Sequence, residues 1–167
     1  MKALDVAKYL IAKSDEVGDL ITNKKLQKIL YYVKAWGLVY FSDGILSEPF
    51  EAWVHGPVCP EVYQHYKVNG YKPLSVDYNG ISSSEYVKKF QKDHSGEARK
   101  VQLIDAVFNK YAVLTSFQLE MLSHNERPWI EARGNLSPLE NGSQAINADT
   151  MKAYYGARVI KKKQSHE

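Results

Sequence analysis

Between Thr22 and Phe41 the chain carries apolar and aromatic side chains on more of a helical circumference than one neighbour could cover. Leu26, Ile29, Leu30, Val33, Gly37 and Tyr40 recur at helical spacing, and Tyr31, Tyr32 and Trp36 widen that stripe around the cylinder. Such a segment needs partners on several sides. The spacing therefore predicts a buried central helix over about residues 24–41, with other helices packed around it. Thr22 or Asn23 is placed to cap its N-terminus through a side-chain oxygen, and Asp43-Gly44 supplies a turn beyond Phe41.

The remaining pattern fits a mainly α, single-domain helical bundle with a small β-hairpin. Ala3, Val6, Ala7, Leu10 and Ile11 mark a first amphipathic helix over residues 3–14. Phe50 to His55 alternates like a short strand closed by Gly56-Pro57, and Pro60 opens a helix that runs through Tyr63 and Tyr66 to Asn69-Gly70. Two capping boxes follow, Ser82-x-x-Glu85 and Thr115-x-x-Gln118, with a further helical period from Ala98 to Ala112 between them. Pro128 starts a short turn ending at Gly134, and Asn147 caps a last helix presenting Met151, Tyr154 and Tyr155. We expect one domain over residues 1–157 and a basic, mobile tail over residues 158–167. At 167 residues and 44% hydrophobic content, a single core of this kind needs no covalent staples.

Charge excludes little. With 22 basic and 19 acidic residues the field is weak, so composition does not select a nucleic-acid partner. No apolar run approaches the ~18 residues of a membrane span, Asp5 comes too early for a secretory leader, and the lone Cys59 suits a reducing compartment. A soluble cytoplasmic protein without a membrane partner is expected.

The chain lacks a Gly-rich phosphate loop, HExxH, paired CxxC and GxSxG. His55 and Cys59 stand four apart, but Gly56, Pro57 and Pro60 prevent a helix between them, and a zinc site needs more ligands. Cys59 is expected to pack as a small hydrophobe. His124 lies where a helix gives way to a turn, a position that favours bonding to backbone carbonyls over general-base work. We expect no enzyme activity, no metal and no cofactor. Lys24, Lys25 and Lys28 crowd the positive end of their helix, which the macrodipole does not favour, so acidic groups should meet them. Together with Lys161, Lys162 and Lys163 they are a weak case for phosphate contact. Twelve tyrosines and three tryptophans are a surplus that serves equally in a core or at a protein interface.

Three blocks carry a resemblance: Leu26-Gln27-Lys28-Ile29-Leu30-Tyr31-Tyr32; Glu51-Ala52-Trp53-Val54-His55-Gly56-Pro57-Val58 with Glu61-Val62-Tyr63; and Leu119-x-x-Leu122-Ser123-His124 with Pro128-Trp129. In this order they resemble the Panacea domain of SocA-like antitoxins, over about residues 5–156. The resemblance implies an antitoxin that neutralises a protein toxin encoded by an adjacent gene through direct contact. It also implies an alternative, a proteolytic adaptor that delivers the toxin to an ATP-dependent protease, and links of some members to prophages. A small hydrolase and a nucleic-acid-binding protein rank below both. No DNA-binding module is visible in these residues, so autoregulation is not implied. Leu26, Leu30 and Pro57 have evident fold roles. The motif positions able to form a polar or partner-contact site are Lys25, Gln27, Tyr31, Trp53, His55, His124 and Trp129.

Overall fold

The computed structural model describes residues 1–164, with side chains through residue 159. Helix α1 (Ala3–Glu16) buries Ala3, Val6, Ala7, Leu10 and Ile11, the stripe expected from their spacing. Helix α2 (Asn23–Tyr40) follows, and Thr22 caps it: its hydroxyl accepts from the Lys25 backbone N–H at 3.3 Å. The side chains of Leu26, Ile29, Leu30, Tyr31, Tyr32, Val33 and Ala35 are wholly withdrawn from solvent. Trp36 is half-buried and Tyr40 is exposed, so the helix leaves the core over its last turn.

The chain then makes a two-stranded antiparallel hairpin from β1 (Glu51–Trp53) and β2 (Gly56–Val58), registered as Glu51 to Val58, Ala52 to Pro57 and Trp53 to Gly56. Gly56-Pro57 does not simply close a strand, as the alternation suggested; it begins the returning one. Gly56 adopts φ +96°, a conformation open to glycine and rarely to other residues, and this turns the chain back after two residues. Pro57, which has no N–H to donate, is tolerated because β2 has one strand beside it only. The other edge of β1 is covered by the 144–146 segment, with Ala52 N–H to Gln144 O at 2.9 Å and Ile146 N–H to Phe50 O at 2.7 Å.

Helix α3 (Pro60–Tyr66) ends in a single 3₁₀ turn, Lys67–Asn69. The irregular stretch up to Ser82 is pinned by Leu74 N–H to Ile21 O at 2.8 Å and by Tyr78 OH to Asp15 Oδ2 at 2.6 Å. Helices α4 (Ser83–Asp93), α5 (Ala98–Tyr111) and α6 (Ser116–His124) come next. Both capping boxes form in full, on α4 with Ser82 and Glu85 and on α6 with Thr115 and Gln118.

Where a turn from Pro128 was expected, a helix α7 (Arg127–Arg133) forms, with proline in its first turn and Gly134 ending it at φ +55°. Helix α8 (Ala148–Gln164) starts at Asn147, whose Oδ1 accepts from Thr150 N–H at 3.0 Å. It passes Gly156 without a break, so residues 158–164 of the expected tail are helical. Lys161, Lys162 and Lys163 lie outside the residues with described side chains.

The result is mainly α. Helix α2 sits in its middle, touching α1, α3, α5, α6, α8 and β2. Among the described residues no helix is long and apolar enough to cross a membrane.

Candidate interaction site at the hairpin and helix α6

The first turns of α2, the hairpin, α6 and α7 converge on a cluster of charged and aromatic groups. Lys28 is its unexpected member. It lies one turn after Lys24 on a helix face that points into the protein, and only 1% of it is exposed. Its ammonium donates to the Pro57 carbonyl at 3.0 Å, tying α2 to the returning strand. Gly56 makes the approach possible: a Cβ there would lie 2.7 Å from Lys28 Cε and 2.9 Å from Ser123 Oγ. The basic triplet therefore does not present three free cations. Lys24 pairs with Glu120, Lys25 pairs with Asp19 at 3.1 Å, and Lys28 is inside.

Burial pushes the Lys28 pKa down to about 7; the Glu120 charge opposes this and Lys24 adds to it. Between about pH 7 and the ordinary lysine value near ~10.4, the unfolded chain holds a proton that the folded chain has released, so stability rises with pH in that window. Below it the cost of burying the charge is present in full. We expect the stability of the wild type relative to Lys28→Met to rise by about 2 kcal/mol between about pH 6 and about pH 8.5. Urea denaturation of both proteins at the two pH values measures this, and parallel curves would contradict it.

Glu120, on α6, is almost buried and uses both oxygens. His55 Nδ1 donates to Oε1 at 2.9 Å, and Lys24 pairs with Oε2. Burial pulls its carboxyl up, and the hydrogen bonds from Lys24 and His55 outweigh that, holding it below the usual glutamate range. One turn on, His124 stacks on Trp129 with ring centroids 4.0 Å apart and planes at 14°. Its Nε2 is buried without a hydrogen-bond partner among the described residues, and burial lowers its pKa, so the ring is neutral at pH 7. Trp129 Nε1 donates to the Trp53 carbonyl at 3.1 Å, and Trp53 packs edge-on against Tyr63.

Of the residues singled out by sequence, the structure thus brings Trp53, His55, His124 and Trp129 together. Three lie elsewhere. Gln27 is buried, donating to Asn23 Oδ1 at 3.0 Å and accepting from Cys59 N–H at 2.9 Å, which fixes α2 against the start of α3. Tyr31 is in the core against Tyr32, Phe50 and Tyr155. Lys25 reaches back to the α1–α2 connection. Cys59 is fully buried, and burial raises its thiol pKa, while His55 is committed to Glu120, so the two do not form a nucleophile and base. Glu120 and Gly56 were not foreseen as site residues. A trace was present, since Glu120 precedes His124 by four on one helix face, but its partners come from distant segments.

The family model described as Antitoxin SocA-like, Panacea domain matches residues 26–130, more than half of the chain. The chain belongs to this family. Antitoxin SocA of Caulobacter vibrioides (strain NA1000 / CB15N) is similar to it, with 39% identity over 67 residues, 40% of this chain and 36% of the relative. The match thus covers little more than a third of that curated relative. No solved structure matches. The Panacea match begins within α2 and ends within α7, so it takes in Trp53, His55, Glu120, His124 and Trp129 and leaves out α1, Lys24 and α8.

Proposed function

We propose that this protein is a cytoplasmic antitoxin that neutralises a protein toxin, encoded by the adjacent gene, by direct contact and without chemistry of its own. Membership of the SocA-like Panacea family carries this reading. The site agrees with it. His55 is bound to Glu120, His124 is stacked on Trp129, and Cys59 holds its thiol proton more tightly than usual, the reverse of an activated nucleophile.

Co-expression tests it. The adjacent open reading frame, induced alone, is expected to arrest growth, and induction of this protein beside it is expected to restore it. An adjacent product that is harmless, or one that still arrests growth, overturns the proposal. Neutralisation by contact also predicts an unchanged toxin half-life during rescue, followed by immunoblot after translation is stopped. Accelerated loss of the toxin points instead to delivery to a protease.

A further inference from the structure

We infer that the outward face of α6, rimmed by Lys24 and His55, docks a toxin segment that presents a carboxylate beside apolar side chains. The inference rests on the antitoxin reading and names the surface and the chemistry of the partner.

Phe117, Met121 and His124 follow i, i+4, i+7 and so line one face of α6. The opposite face is already used, because Leu119 and Ser123 have no solvent exposure. The outer residues have no comparable employment within the fold: Phe117 is 67% exposed and Met121 45%. Two large apolar side chains one turn apart, next to the stacked His124 and Trp129 rings, make a ridge of the composition that anchors protein contacts.

Charge selects what covers the ridge. Glu120 lies between Phe117 and His124 on the helix, and both its oxygens are occupied by Lys24 and His55. Those two side chains are 38% and 73% exposed, and the Lys24 ammonium keeps N–H donors free for a second acceptor, whereas His55 spends its Nδ1–H on Glu120. They stand at the positive end of α2, whose first turn contains no acidic residue. An incoming carboxylate at the Lys24 ammonium completes this rim, while its apolar neighbours cover Phe117 and Met121. A phosphate backbone would meet Lys24 and leave the ridge uncovered.

The test uses Phe117→Asp/Met121→Glu and Lys24→Ala in the full chain, with the toxin of the adjacent gene. Both changed apolar positions are at the surface, and an acid at 117 falls in the first turn of α6, where the dipole favours it, so unchanged thermal melts are expected. The double variant is expected to lower affinity for the purified toxin about 100-fold and abolish rescue, and Lys24→Ala to lower affinity about 10-fold. Tyr71→Asp, at a still more exposed ring in a different place, is expected to rescue fully. If the wild type and the folded double variant rescue alike, the docking surface is wrong and the antitoxin reading stands. Failure of the wild type to rescue overturns both. Undiminished affinity in Lys24→Ala overturns the carboxylate, as does tight binding of a single-stranded DNA oligonucleotide that Lys24→Ala abolishes.

Discussion

Alanine at position 56 is expected to destabilise the protein by about 3 kcal/mol, a loss of about 6–12 °C in Tm for a chain of this size. Two causes add. At φ +96° any residue with a Cβ is strained, at a cost of about 1–2 kcal/mol. The new methyl group would also stand 2.7 Å from Lys28 Cε and 2.9 Å from Ser123 Oγ. Lysine side chains usually give way, but this one is enclosed, and moving it breaks its bond to the Pro57 carbonyl, its hydrogen-bond partner among the described residues. Gly18 separates the two causes. It has φ +68° with nothing within 4 Å of the added atom, so Gly18→Ala is expected to cost only about 1 kcal/mol. Equal losses for the two alanines in urea denaturation would mean that the contact with Lys28 carries no weight.

This contact also marks the limit of what the amino-acid pattern discloses. Features set within a few residues were legible: the girth of the apolar stripe on α2, the capping boxes of α4 and α6, the Asn147 cap of α8, and a hairpin near residue 50. Each depends on side chains and backbone groups that are close in the chain. The α7 helix was taken for a turn because its seven residues, with proline in the first turn and glycine directly after, show too little periodicity, and packing against β1 and α8 supplies what propensity does not. Helix α8 runs past Gly156 for a similar reason: a glycine costs a helix only about 1 kcal/mol, and burial of Tyr155 outweighs it. At the candidate site, the structure brings Trp53, His55, His124 and Trp129 near one another, whereas Lys28, expected with Lys24 and Lys25 to meet acidic groups, is buried against the Pro57 carbonyl. A lysine inside a helix facing Pro57 looks no different, in sequence, from one facing water. Its burial is decided by a strand 28 residues away.

The second large effect is expected at Glu126, 2% exposed between α6 and α7. Tyr32 OH donates to its Oε2 at 3.0 Å, Tyr155 OH to the same oxygen at 2.5 Å, and Arg158 to Oε1 at 2.8 Å. One carboxylate therefore joins α2 to α8 through two enclosed phenols. Burial raises the pKa of both hydroxyls, with the Glu126 charge acting in the same direction, so they stay protonated and remain donors. Glu126→Ala leaves Tyr32 without an acceptor and Tyr155 with only the Tyr31 oxygen at 3.4 Å, at an expected cost of about 4 kcal/mol. Glu126→Gln keeps an acceptor of the same shape and is expected to lose about half as much. Arg158 is 44% exposed on its side chain, so solvent screening limits Arg158→Ala to at most ~1 kcal/mol. The cost is thus assigned to the phenols, which a double-mutant cycle can check. Tyr32→Phe should destabilise the wild type by about 1 kcal/mol and should recover stability in the Glu126→Ala background, because there it removes an orphaned hydroxyl. Additive losses would show that the phenols and the carboxylate are not coupled.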